Sequence, residues 1–273
     1  MPGNWENKVV IVTGGSRGLG YDLAGKFADA GAKVTIAARD PDALAQAAAK
    51  LREGGADVLT VPTDVTVQAE VDEMIRQTLD RYGRIDVLIN NAGKSTRGKI
   101  VETTAEQFAE LLTLNFLGLV RCTRAAIPHL LLSQGHVVNI GSLSSKVASP
   151  YMGAYPASKF SVAAYSQQLR LELGPQGLHV LLVCPGPLKR PDAATRFRGV
   201  AQGLPDEAYG PGGGAKLSLV SPEKLAKKVI KYCERRRPEL VVPGKVKWLL
   251  AISAMWPRLG DWLVRKNTEK KSG

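Results

Sequence analysis

Apolar residues in this chain fall into short blocks separated by longer segments with a helical repeat. Lys8-Val-Val-Ile-Val-Thr13, Lys33-Val-Thr-Ile-Ala-Ala38 and His136-Val-Val-Asn-Ile140 are brief, β-branched runs bounded by polar residues or glycine. Such runs read as strands buried on both faces. Between them lie helical patterns such as the one running from Tyr21 to Ala30. Asp40-Pro41 and Ser221-Pro222 set a capping side chain ahead of a first-turn proline. Thr103-x-x-Glu106 reads as a capping box, and Glu106 to Ser133 as the long helix that follows. Strands alternating with helices predict a doubly wound parallel sheet with helices on both faces.

Composition keeps this picture to a single domain. At 273 residues and 44% hydrophobic, the chain can bury one large core without being divided. Cys122, Cys184 and Cys233 are odd in number and far apart, which suits buried free thiols in a reducing compartment. His129, His136 and His179 are scattered, so structural roles are expected and no metal site. The N-terminus lacks the apolar stretch of a signal peptide, and no run reaches membrane-spanning length. A cytoplasmic protein is expected.

Charge is uneven. The first 188 residues carry 18 basic and 17 acidic side chains, whereas residues 189–273 carry 19 basic and 8 acidic. From Lys245, Trp248, Ile252, Met255, Leu259 and Trp262 recur at helical spacing, and Pro257 should split the segment after Trp256. Residues 244–273 therefore read as a basic amphipathic extension to a domain spanning 1–243. Such a helix suits an anionic membrane surface, or else packs over the domain or a partner subunit and shapes a substrate mouth. No stacking-aromatic or recognition-helix pattern accompanies the basic residues, so no nucleic acid is expected.

Two motifs carry chemistry. Thr13-Gly14-Gly15-Ser16-Arg17-Gly18-Leu19-Gly20 joins the first strand to the first helix. A glycine-rich turn there lets backbone approach a phosphate, and the free N–H groups at the helix start bind its charge. Further on, Tyr155 and Lys159 stand four apart, on one face of a helix. An ammonium beside a phenol favours the phenolate and should lower the tyrosine pKa, making Tyr155 a usable general acid or base.

With these motifs in order, the chain over roughly residues 5 to 243 resembles the short-chain dehydrogenase/reductase family. Asp64-Val65 stands where that family's Asp contacts adenine, and Asn90-Asn91-Ala92-Gly93 matches its N-N-A-G turn beside the cofactor. Asn115, Ser142, Tyr155 and Lys159 fall at its catalytic positions, and Pro185-Gly186 at its nicotinamide-side turn. The resemblance implies a single-domain Rossmann-type α/β fold with a C-terminal helical extension. It also implies a nicotinamide site formed by Thr13, Gly14, Ser16, Arg17, Gly18, Leu19, Gly20, Arg39, Asp64, Val65, Asn91, Ala92, Gly93, Tyr155, Lys159, Pro185 and Gly186. Asn115 is expected to position a water linking Lys159 to solvent. A homodimer or homotetramer is usual in the family.

Charge argues for NADP(H). The acid that NAD users place after the second strand is replaced by Ala38, with Arg39 following and Arg17 nearby. The expected activity is NADPH-dependent reduction of a carbonyl, reversible to the alcohol, on a small hydrophobic substrate, with Tyr155 as proton donor. The alternative is a catalytically silent NADPH-binding sensor on the same fold. One departure stands out, since Arg190 occupies the place of a family Thr that bonds the nicotinamide carboxamide. Pro191 to Leu219 reads as a mobile lid, and the thirty-residue tail resembles the family's lipid- and steroid-directed branches, which places the protein at a membrane surface or gives the site a cover.

Overall fold

The apolar runs become strands, and each helical segment returns the chain to the start of the next one. The computed structural model describes residues 5–191, 196, 197, 199, 203–215 and 217–268. The elements begin β1 (Val9–Thr13), α1 (Gly18–Asp29), β2 (Lys33–Ala38), α2 (Pro41–Glu53), β3 (Val58–Pro62), α3 (Gln68–Tyr82) and β4 (Val87–Asn90). After α4 (Ala105–Leu112), a π-helical turn (Thr113–Leu117) leads into α5 (Gly118–Leu132). Then come β5 (His136–Ile140), α6 (Tyr155–Leu173), β6 (His179–Pro185), α7 (Asp206–Tyr209), α8 (Pro222–Glu234) and β7 (Glu239–Val242). Two helices close the described chain, α9 (Val246–Met255) and α10 (Pro257–Thr268).

The seven strands form one sheet in the order β3-β2-β1-β4-β5-β6-β7, and every pairing is parallel. Val10 and Val12 of β1 turn into the core shared with α1, α2 and α8, while Ile11 turns into the core shared with α3, α5 and α6. A strand buried on both faces has no polar side to present, so it reads as a continuous apolar run. The order reverses between β1 and β4, and that switch point opens a crevice at the carboxyl ends of the strands.

Asp40 and Ser221 cap α2 and α8 as expected, each with proline in the first turn. The box before α4 lies one residue later than expected. Thr104 accepts from Gln107 N, and the Gln107 side chain accepts from Thr104 N, whereas the Thr103 hydroxyl donates to Lys99 O. Pro257 divides the tail as predicted. The halves fold back on each other so closely that a methyl at Gly260 would lie 2.6 Å from Ser253 Cα. Parts of the Pro191–Leu219 loop and residues 269–273 of the tail lie outside the described residues.

Candidate active site

The glycine turn lies at the switch point. Gly14 and Gly18 hold φ of +63° and +56°, conformations that favour glycine. A methyl at Gly20 would come within 2.2 Å of Gly14 O and 2.5 Å of Asn91 Nδ2, so only glycine lets α1 start this close to the turn. At Gly18, by contrast, a methyl would meet nothing within 4 Å. Arg17, the N-cap of α1, makes no side-chain capping bond, so its side chain does not occupy the first N–H groups of the helix. Such a cradle fits a dinucleotide phosphate.

Thr13 and Asn91 fix its floor. The Thr13 hydroxyl accepts from Asn91 N and Ala92 N at 3.0 and 3.1 Å, and Asn91 Nδ2 donates to Thr13 O and Gly14 O. Ser16 is half-buried in the turn, and Leu19 is buried at the edge of the cavity described below. Arg39 stands at the end of β2, 72% exposed, with its guanidinium 4.0 Å from Asp64. Burial pushes the Asp64 carboxyl up, but hydrogen bonds from the Thr66 N–H and hydroxyl, with the Arg39 charge, hold it below its ordinary value. Val65 is buried against Gly118, where a methyl would come within 2.7 Å of it. It packs α5 against the loop after β3.

Ser142, Tyr155 and Lys159 face one cavity of about 290 Å³, with Leu19, Asn91, Gly93, Pro185 and Gly186 also in its wall. Ser142 follows β5, and Tyr155 begins α6, so a strand end and a helix start bring them together. Ser142 lies near enough to the Tyr155 hydroxyl to favour its ionised form. Lys159 donates from Nζ to Ile140 O at 2.8 Å, and burial lowers its pKa to about 8. The expected effect of Lys159 on Tyr155 is not what sets the phenol. Burial pushes the Tyr155 hydroxyl up, and the groups opposing it are Ser142, Arg97 and Arg190. The Lys159 ammonium lies 6.0 Å from the ring centre.

Asn115 sits in the π-helical turn and does not line this cavity. Its Oδ1 accepts from Lys94 N, and its Nδ2 donates to Lys94 O and Ser158 Oγ, at 2.9, 2.9 and 3.0 Å. Ser158 Oγ in turn donates to Tyr155 O. Both amide protons of Asn115 are thereby committed to holding the loop after β4 onto the start of α6.

Several supporting residues have partners that the sequence did not show. Asn90 Nδ2 donates to Thr123 Oγ1 and Asn139 Oδ1, and Asn139 Nδ2 donates to Ser166 Oγ, all at 2.9 Å. This buried network pins α5 and α6 to β4 and β5 beneath the site. Its signal was an asparagine inside each of two apolar strands. Arg97 is a second case. It reads as a loop cation yet is only 6% exposed and lines the cavity. The histidines are a third. His136 and His179 face each other with Nδ1 atoms 2.8 Å apart, and Cys233 lies close by. His179 Nε2 donates to Arg237 O, so its Nδ1 accepts from His136, and the pair is satisfied as neutral rings.

A phosphate cradle at the switch point and a Ser–Tyr–Lys cluster beside it define a nucleotide-binding α/β oxidoreductase site. The family model described as short chain dehydrogenase matches residues 8–199, and the chain belongs to the short-chain dehydrogenase/reductase family. A dehydrogenase/reductase SDR family protein 7-like from Anopheles gambiae is 30% identical over 96% of this chain and 84% of its own length. An 11-beta-hydroxysteroid dehydrogenase A from Sesamum indicum is 30% identical over 94% of this chain and 74% of its own. Among solved structures, an alcohol dehydrogenase from Thermococcus sibiricus complexed with 5-hydroxy-NADP superimposes with a TM-score of 0.72. It is 28% identical over 86% of this chain and 95% of that one.

Proposed function

We propose that this oxidoreductase is an NADPH-dependent reductase of a carbonyl on a largely hydrophobic substrate, reversible to the alcohol. The observation that carries the reading is the convergence of Ser142, Tyr155 and Lys159 on the wall of one cavity, with apolar side chains on its tail side and Leu19 of the glycine turn at its edge. A bound nicotinamide would supply the hydride. Ser142 donates a hydrogen bond to the carbonyl oxygen, and the Tyr155 hydroxyl gives that oxygen its proton as negative charge develops. Lys159, with a pKa of about 8, is largely protonated at neutral pH and adds positive charge beside the cluster, while Ser142, Arg97 and Arg190 are the groups that favour the phenolate left behind. Asn115 acts by position, fastening the Lys94 loop to α6. Arg39 and Arg17 are the groups placed to hold the 2′-phosphate of NADPH, and Arg39 is oriented by Asp64.

Apolar side chains of α9 and α10, Val246, Leu249 and Val264, form part of the cavity wall. The tail thus serves as a cover, while its tryptophans face outward as a membrane-contacting surface. A hydroxysteroid dehydrogenase among the relatives favours a bulky, apolar substrate body. Assembly as a homodimer or homotetramer completes the proposal. Tyr155→Phe keeps the shape of the ring and removes the proton. Turnover of a panel of aromatic and aliphatic ketones should fall at least a hundredfold, with NADPH binding followed by fluorescence unchanged. Near-normal turnover in that variant refutes the scheme. Tight NADPH binding without turnover of any ketone by the wild type supports the silent sensor instead.

A further inference from the structure

The cavity that holds Tyr155 is lined towards the tail helices by Val246, Leu249 and Val264 with the neutral Asn267 and Thr268, and is cationic towards the β4 loop and the chain beyond β6. Lys94, Arg97, Lys159, Arg190 and Arg196 line it, and no Asp or Glu occurs among the described lining residues. Two of these charges are accounted for. Lys94 is ion-paired with Glu110, and Lys159 belongs to the proton-transfer cluster. Arg97 is in none of the ion pairs among the described residues, and no carboxylate is among the groups that shift its pKa.

Arg97 is the most telling. A guanidinium taken this far out of water is costly unless something offsets its charge. Among the described residues its partners are all neutral: Ser95 Oγ, Thr96 O, Ala208 O and Gly210 O, at 2.8–3.1 Å. The plane rests on the Phe197 ring, 3.6 Å from its centre. These bonds and the stack fix the guanidinium in place without neutralising it. Five N–H groups serve four acceptors, so one remains. Ser95 Oγ, which accepts from Arg97, keeps its own proton to donate, and Ser95 also lines the cavity. Arg97 and Arg190 both lie near enough to Tyr155 to oppose the rise of its pKa. The Arg97 charge therefore sits close to Tyr155, the proposed proton donor to the carbonyl.

We propose that Arg97, with Ser95 and Arg190, forms a receptor for an acidic group of the substrate. The substrate class is then an oxo acid, with a carboxylate or phosphonate-like anion a few bonds from the carbonyl and an apolar body lying towards Val246, Leu249 and Val264. This rests on the reading of the cavity as the substrate site of a carbonyl reductase. An arginine held rigidly by carbonyls reads a planar carboxylate or a phosphate well because its geometry is set before the ligand arrives. It also adds to the field that stabilises negative charge developing on the carbonyl oxygen.

Binding separates this proposal from the catalytic one. Calorimetric titration of the wild-type protein with NADPH present compares 4-phenylbutyrate, 3-phenylpropylphosphonate and the neutral 4-phenylbutanamide. At least one anion should bind tenfold or more tightly than the amide, and the tighter of the two tells carboxylate from phosphate recognition. Equal or weaker binding of both anions overturns the proposal, whether or not any ketone is turned over. Arg97→Met should bring the anion-to-amide ratio within about threefold of one, and Arg97→Lys should retain part of it. If Arg97→Met unfolds the protein, the wild-type ratio decides alone. Reduction of 2-oxo-4-phenylbutanoate against its ethyl ester should show the same preference in kcat/KM, through KM. If neither is reduced while the anions still bind tightly, the reductase reading fails and the anion site stands. An Arg190→Met variant that loses NADPH and keeps the anion-to-amide ratio would remove Arg190 from the receptor and assign it to the cofactor.

Discussion

The proposed preference for NADPH rests on Arg39 more than on any other side chain of the site. Ala38 ends β2 and offers no carboxylate to ribose hydroxyls, while the Arg39 guanidinium is exposed and steadied by Asp64 at 4.0 Å. Asp64 stays ionised well below neutral pH, so the steadying charge is present throughout the working range. A charge-assisted contact of this type contributes about 1.5–3 kcal/mol, which corresponds to roughly tenfold to a hundredfold in affinity. Arg39→Asp should therefore weaken NADPH by at least tenfold and leave NADH within about threefold, measured by fluorescence titration of each. Equal losses for both cofactors would remove Arg39 from the phosphate site. The place of Arg39 was legible in the sequence, because a strand end and a charge are both local features, and the proposed role rests on them. Arg97 was not, since nothing in Lys94-Ser-Thr-Arg-Gly-Lys99 tells that the loop folds beneath Ala208 and Gly210, more than a hundred residues later.

At the scale of elements, strands and their order in the chain were readable from apolar runs, and the motifs at strand ends followed. What resisted reading depends on tertiary pairing. The capping box moved by one residue because Thr103 and Thr104 are both competent, and only the turn before them decides which hydroxyl faces the helix. The π-helical turn at Thr113–Leu117 is invisible locally, since its residues would continue an ordinary helix. There Asn115 is bonded across to Lys94 and Ser158. The histidines were scattered in sequence, 43 residues apart, but the β5–β6 register sets His136 opposite His179. Burial holds both rings below the ordinary imidazole value, with mutual repulsion adding to it at His136. An unfolded chain takes up these protons near pH 6.5, and the folded one does not. The stability tied to the pair is complete above pH 6.5 and is lost as pH falls from there towards the lower folded-state values. Between pH 6.5 and 5 the loss is about 2 kcal/mol for each ring. Urea midpoints should fall over that window in the wild type and fall by roughly half as much in His136→Gln, which keeps a donor for His179. An undiminished fall in the variant would place the proton uptake elsewhere.

For the whole molecule, the tail joins the question of substrate to the question of place. Its inner side chains belong to the cavity wall, so deleting it would open the site and could not tell a cover from an anchor. The outer face can be tested separately. Trp248 is 78% exposed and Trp262 50%, with Met255, Trp256 and Leu259 also exposed. Lys245, Lys247, Arg258, Arg265 and Lys266 stand exposed around them, and Lys266 lies over the Trp262 ring. No helix among the described residues is long and apolar enough to cross a membrane. A shallow, basic, tryptophan-bearing face of this kind suits the interface of an anionic bilayer, where amphipathic rings sit at headgroup depth. An amphiphilic acid would then reach the cavity from the surface on which it is dissolved. The protein should sediment with vesicles containing phosphatidylglycerol and much less with pure phosphatidylcholine. Salt at 0.5 M should weaken the association, because exposed charges are screened within a few ångströms there. The double variant Trp248→Glu/Trp262→Glu should lose vesicle binding at least tenfold while still binding NADPH in buffer. A subunit interface predicts something different: wild type that ignores vesicles, and a double variant that elutes as a smaller oligomer. Either of those results would move the tryptophan face from the membrane to the assembly.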